Sequence, residues 1–213
     1  MKKYFYLCIA SLVGFCSNAQ YEYRDSNRIG ISGGLNYFML DTKNFQSQPG
    51  TGWSAGLSVR GNFYNDFDMV YGLQFSENRF SVATLNGLGA REDVDYKLPS
   101  AQVYLLLSYK FIENHLSAEI GPMFQINGKT TIDENDEDNV VAGNLYTAKD
   151  LTDISKFSFY PTVGLTVGVR HFRLQATYQY GVTNLLNNLN NKGFGDDFKG
   201  HASIFTGTLI IYL

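Results

Sequence analysis

The stretch FSFYPTVGLTVGVRHFRLQATYQY, Phe157 to Tyr180, decides the fold. In its first half Phe157, Phe159, Val163, Leu165, Val167 and Val169 alternate with Ser158, Thr162, Gly164, Thr166, Gly168 and Arg170. After Arg170-His171 the alternation resumes in the opposite parity, with Phe172, Leu174, Ala176, Tyr178 and Tyr180 set against Arg173, Gln175, Thr177 and Gln179. A period of two sends successive side chains to opposite faces of an extended chain, so each half is a strand with one apolar and one polar face. A helix would scatter the same apolar residues around its whole circumference.

Six further segments carry the same period. Ile29, Ile31, Gly33, Leu35, Tyr37 and Met39 alternate with Arg28, Gly30, Ser32, Gly34 and Asn36, with Phe38 an apolar residue on the polar parity. Trp53, Ala55, Leu57, Val59 and Phe63 follow, then Met69, Tyr71, Leu73 and Phe75. Ala101, Val103, Leu105, Leu107, Tyr109 and Phe111 form the fourth, and Leu116, Ala118, Ile120, Pro122, Phe124 and Ile126 the fifth. The last segment closes the chain with Phe205, Leu209, Ile211 and Leu213 against Thr206, Thr208 and Tyr212. The connections are predicted at Asp41–Gly50, Tyr64–Asp66, Ala83–Lys97, Ile112–His115, Gly128–Lys156, Arg170–His171 and Asn184–Gly200. Long and short alternate throughout, which is the asymmetry of outer-membrane barrels, whose periplasmic turns are short and whose outer loops are long. The sequence therefore predicts an all-β, eight-stranded antiparallel up-and-down transmembrane β-barrel. A soluble sandwich or lipocalin-like barrel shares the alternation but has no reason to keep that asymmetry.

Composition agrees. The 213 residues include 21 Gly, 15 Tyr and 16 Phe, only 4 Pro and 17% charged residues. Mean hydropathy is slightly negative, and beyond the N-terminus no apolar run approaches the ~20 residues of a membrane helix. The polar parity holds Arg60, Lys110, Glu119, Arg170 and Arg173. These belong in the lumen, because a charge facing hydrocarbon at mid-depth is strongly unfavourable. An eight-stranded barrel is just wide enough for side chains to fill it, and Tyr104 and Tyr160 are candidates to do so. Tyr64, Phe67, Tyr109, Phe111 and Phe172 near the short turns, with Trp53, Tyr37, Tyr96 and Phe157 near the long loops, are the expected aromatic girdles.

Residues 1–19 read as a signal peptide. Lys2 and Lys3 precede an apolar stretch from Tyr4 to Cys16, and Ser17-Asn18-Ala19 supplies small residues at the −3 and −1 positions before Gln20. A lipoprotein signal centred on Cys16 is the rival, disfavoured by bulky Phe15 directly before it. Cleavage after Ala19 leaves residues 20–213 as one barrel domain and removes both cysteines, Cys8 and Cys16. No disulfide framework or thiol chemistry is then expected.

The segment LPSAQVYLLLSYKF, Leu98 to Phe111, resembles the fourth strand of the PorT-like outer-membrane β-barrel family of Bacteroidetes-type bacteria. AEIGPMF, Ala118 to Phe124, is similar to its following strand, and YQYGVTNL, Tyr178 to Leu185, to its penultimate one. The resemblance covers essentially the whole of residues 20–213. It implies an outer-membrane location, insertion by the barrel-assembly machinery and, for some members, a part in secretion or gliding. The final residue departs from the pattern, being Leu213 where Phe or Tyr is usual.

Three constellations could carry chemistry. Asp133-Glu-Asn-Asp-Glu-Asp138 lacks the Gly at the sixth position and the Glu at the twelfth that an EF-hand requires, since Asp138 and Asn144 stand there. It reads as a solvated loop, with divalent bridging to lipopolysaccharide phosphates as the alternative. Glu119, with Lys110 diagonal to it and Arg60, Arg170 and Arg173 at the same end, reads as a self-compensating buried cluster rather than a proton relay. His201 and Ser203 share one face of the last strand, with Asp41 on the same parity of the first. Together they have the residue types of a hydrolase triad, and they resemble the His-x-Ser arrangement of lipid A deacylases. His115 and His171 sit in short turns.

The expectation is a non-enzymatic barrel with no cofactor, metal or catalytic residue. Its expected partners are outer-membrane lipids and lipopolysaccharide, the assembly machinery and secretion-complex proteins, with no role in nucleic-acid binding. A lipid A hydrolase using His201 and Ser203 is one alternative, and a narrow gated porin another.

Overall fold

The computed structural model describes residues 27–192, 194 and 197–213. The predicted signal peptide lies outside the described residues. Eight long strands form the wall: β1 (Arg28–Thr42), β2 (Ser47–Tyr64), β3 (Phe67–Leu85), β4 (Arg91–Ile112), β5 (Leu116–Asn127), β7 (Phe157–Gly168), β8 (Phe172–Tyr180) and β9 (Gly200–Tyr212). A two-residue strand, β6 (Val140–Val141), lies in the long connection between β5 and β7. Every long strand pairs antiparallel with its sequence neighbour, and β1 pairs with β9 from Gly30↔Tyr212 to Thr42↔Gly200, which closes the ring. Closure leaves the long strands no unpaired edge along their shared length.

Alternation decides which face turns outward. Ile31, Leu35, Leu57, Tyr71, Phe75, Val103, Phe124, Leu165 and Leu209 are all exposed on the outer wall. Ser58, Gln74, Gln102, Ser108, Glu119, Thr166 and Thr206 are buried in the lumen. Hydrocarbon is the surrounding that makes both faces favourable, since a continuous apolar belt of this extent is a liability in water. The short turns are tight: Asn65 (φ 46°) and Asn114 (φ 59°) both adopt the left-handed conformation, which Asn enters more readily than most residues. Tyr104 fills lumen space because Gly72, on the neighbouring strand, has no side chain: a Cβ there would lie 2.5 Å from the Tyr104 hydroxyl.

Two of the predicted long connections are largely strand. The Asp41–Gly50 connection contracts to residues 43–46, and Ala83–Lys97 contracts to 86–90. Consequently β2, β3 and β4 reach 18, 19 and 22 residues, well beyond the ~9–11 needed for a tilted crossing. At the extended ends the chemistry of the two faces inverts. Inward positions of β3 run Gln74, Ser76 and Asn78 and then become Phe80 and Val82, while outward Leu73 and Phe75 give way to Glu77, Arg79 and Ser81. On β4, inward Val94, Tyr96 and Leu98 precede Ser100 and Gln102. Above the inversion the barrel is built like a water-soluble one, apolar inside and polar outside. Tyr96 belongs to this upper core and not to a girdle, as its sequence position suggested. It is fully buried and its hydroxyl donates to the Ala148 carbonyl at 2.8 Å. The other girdle aromatics do face outward, with Trp53, Phe111, Phe157 and Phe172 exposed.

Candidate functional site

The lumen is filled in three layers. Nearest the short turns lies a charged layer supplied by β2, β3, β4, β5, β8 and β9. Arg60 pairs with Glu119 and, at 3.1 Å, with Asp68. Its guanidinium also donates to Ser108 Oγ at 2.8 Å and to the Tyr212 hydroxyl at 3.3 Å. Gln175 donates to the second Glu119 oxygen, and Lys110 reaches Asp68 at 3.2 Å. Each carboxylate thus meets at least two donors, the condition under which buried ions are tolerated. Lys110 does stand diagonal to Glu119, since Ser108 lies opposite Glu119 and Lys110 opposite Ser117, but its ion pair is with Asp68. Asp68, the second residue of β3 and just outside the alternating run Met69–Phe75, is the acid that Lys110 finds. Arg170 also departs from expectation: it lies exposed in the β7–β8 turn, where its carbonyl accepts from Arg28. Arg173 does enter the lumen, its guanidinium 5.9 Å from the centre of the Tyr212 ring.

The middle layer is amide and hydroxyl. Gln102 donates to Gln125 at 2.6 Å and to Gln179 at 3.2 Å, and accepts from Gln74 at 3.2 Å. Asn127 continues the chain to Ser158, and Ser76 meets Ser100 at 2.8 Å. Side chains from β3, β4, β5, β7 and β8 are thereby tied across the axis. A polar network of this kind replaces the hydrogen bonds that water would otherwise make in an open channel.

The top layer is apolar and is completed by the long connections. Phe38, Phe80, Tyr96, Leu98, Met123, Tyr160 and Ile204 from the wall pack with Leu151, Leu185, Leu189 and Phe198 from the loops. Asn190 and Asn184 bond the Phe198 backbone, with Phe198 N–H donating to Asn190 Oδ1 at 2.7 Å. The Phe198 ring meets Tyr146 edge-on at 5.3 Å, joining the two loops. The acidic run lies on this cap: Glu134–Asp136 forms one 3-10 turn, and the Asp133 side chain accepts from Asn135 N–H at 3.0 Å. Burial raises the Asp136 carboxyl above its ordinary range, with further contributions from Glu92, Asp133 and Asp95. Among the described residues no group of three or more acidic, His or Cys side chains is arranged to hold a metal ion.

His201 and Ser203 face outward at the long-loop end of β9. Asp41 stands opposite His201 in register. The three do not join as a relay. His201 Nδ1 is bonded to the Gly181 carbonyl at 3.0 Å, and Ser203 Oγ to the Tyr178 hydroxyl at 3.3 Å.

A closed antiparallel barrel with an apolar outer belt and a polar, filled lumen is an outer-membrane β-barrel. The match to the family model described as outer membrane protein beta-barrel domain, over residues 18–187, places the chain in that family. The protein is therefore an outer-membrane protein. A comparison with curated proteins gave no match. Among solved structures, Neisserial surface protein A is similar in fold, with TM-score 0.52, 12% identity and coverage of 88% of this chain and 99% of that one. Ail of Yersinia pestis gives TM-score 0.41 at 16% identity, covering 88% and 100%. OprG of Pseudomonas aeruginosa gives 0.42 at 10%, covering 88% and 94%.

Proposed function

We propose that this protein is a closed, non-enzymatic barrel of the PorT-like type whose capped long-loop end binds a partner outside the cell. The cap supports the reading: loops that share a buried core with the wall form a rigid platform, unlike loops left to solvent. Its tips present Leu88 and Leu145, both almost fully exposed. Leu88 sits in a turn shaped by Asn86, whose side chain accepts from Leu88 and Ala90 N–H groups. Leucines held outward on an ordered scaffold are what a docking surface needs. A secretion or gliding complex is the partner class that the family resemblance implies. Lipopolysaccharide and the barrel-assembly machinery are the further contacts proposed for a protein in this location.

Single cysteines test orientation and docking together, because residues 20–213 contain none. Leu88→Cys and Leu145→Cys should react with a membrane-impermeant maleimide on intact cells, and Asn114→Cys should not. A photo-cross-linker on the same two cysteines should give one discrete adduct. Labelling of only Asn114→Cys would reverse the orientation, and labelling without an adduct would count against docking.

The three filled layers also make the lumen a poor conductor. In planar bilayers the purified protein should give no steady, large single-channel current. Such currents from wild-type protein would place it with the narrow porins instead.

A further inference from the structure

On the outer wall, part of β4 is a low strip between two ridges. Its outward residues Pro99, Ala101 and Val103 are short. Longer side chains stand beside them in register, Phe75↔Ala101↔Ile126 and Leu73↔Val103↔Phe124, with β3 on one side and β5 on the other. All four ridge residues are exposed. The result is an apolar trough that follows β4 for about 13 Å, taking ~3.3 Å per residue. At its long-loop end the trough meets a row of cations. Arg79 of β3 stands directly opposite Lys97 of β4. Lys129 lies in the chain that continues β5 alongside β4, between Gly128, whose N–H donates to the Pro99 carbonyl at 2.8 Å, and Thr131, which bridges to Lys97. All three cations are exposed. Like charges directly opposite on one sheet face repel, and acids relieve only part of the row. Glu77, in the next outward pair toward the belt, holds Arg79 at 2.6 Å. Asp95, in the next pair toward the loops, accepts from Ser81 Oγ at 2.5 Å. Neither the Lys97 nor the Lys129 ammonium has a hydrogen bond or ion pair among the described residues.

We propose that the trough seats an acyl chain of lipid A while Lys97 and Lys129 hold one of its phosphates. Position selects the occupant: with the long loops outside the cell, this rim lies in the leaflet that lipopolysaccharide occupies. The order of chemistry along the wall agrees. From membrane to solvent, lipid A presents acyl chains and then phosphate, and β4 presents an apolar trough and then two uncompensated ammonium groups. A phosphate between them supplies the counter-ion that Glu77 and Asp95, engaged elsewhere, do not. The seat rests on the proposed orientation and gives the lipopolysaccharide contact a place on the barrel.

The test is native mass spectrometry of residues 20–213, purified in detergent micelles and mixed with lipid A, dephosphorylated lipid A or phosphatidylglycerol. Wild-type protein should retain one lipid A in preference to the other two. Lys97→Gln and Lys129→Gln should each weaken lipid A retention about tenfold, the low end for a hydrogen bond to a charged group, and Lys97→Arg should keep it. Neither Gln variant should alter retention of the dephosphorylated form. Ala101→Trp, which fills the trough without touching a charge, should weaken both forms. Lys43→Gln, at an exposed lysine of the β1–β2 connection, is the control and should change nothing. The heat-dependent gel shift confirms that each variant is folded. Phosphatidylglycerol retained as well as lipid A, lysine or Ala101 variants that bind like wild type, or an equal loss in Lys43→Gln would each overturn the proposal. Micelles have no sidedness, so a failure here is distinct from a reversed orientation, which the cysteine labelling reads.

Discussion

Replacing Arg60 by Ala is expected to destabilise the barrel by about 3–5 kcal/mol, the cost of leaving buried charge uncompensated. Arg60 is the hub of the charged layer, holding Glu119 and Asp68 and donating to Ser108. Its loss leaves Glu119 with Gln175 as its remaining donor, while Asp68 keeps Lys110. Urea unfolding in lipid vesicles, followed by the heat-dependent gel shift of folded barrels, measures the change. Arg60→Met with Glu119→Met should lose less than half as much, because removing both ions removes the desolvation they impose. A change within about 1 kcal/mol for Arg60→Ala would mean that water reaches this layer and screens it.

Phe198→Ala is expected to release the cap while leaving the wall intact. The ring is fully buried where the β8–β9 connection meets Tyr146 of the β5–β7 connection. Deleting a buried Phe side chain costs about 3–5 kcal/mol, and here the cost falls on local opening of the loops rather than on global unfolding. The opened fraction should then rise roughly 10²–10⁴-fold, reading each 1.4 kcal/mol as a factor of ten. Limited proteolysis of reconstituted protein should cut within residues 129–155 and 182–199 at rates raised to match, with the gel shift of the barrel unchanged. Equal cleavage of wild type and variant would show that the loops are not locked by this core.

Both experiments bear on the same division of the molecule. The charged and amide layers sit where the outer wall meets hydrocarbon, and the apolar core sits above it. Function through a bound partner needs the upper core to be rigid. Closure of the lumen needs only the lower two layers, so loosening the cap should not by itself make the barrel conduct.

The sequence by itself determined the strands, their number, the direction of their faces and the class of protein. These follow from local periodicity and connection length, because a strand in a membrane barrel must alternate wherever hydrocarbon lies on one side and a polar lumen on the other. The luminal placement of Arg60, Glu119 and Arg173 was legible for the same reason. The inversion of chemistry at Asn78–Phe80 and at Leu98–Ser100 was also written in the chain. Reading apolar residues as outward throughout hid it, so the extended ends passed for loops and Tyr96 for a girdle residue. Only the tertiary structure decided the rest. Which carboxylate meets Lys110 depends on register between strands, and Asp68 and Lys110 are joined by the β3–β4 pairing that sets Asp68 opposite Ser108. The cap joins residues far apart in sequence, such as Tyr96 with Ala148 and Tyr146 with Phe198, through contacts without any sequence period. Periodicity encodes the face a side chain takes; closure of the ring and folding of the loops choose its partner.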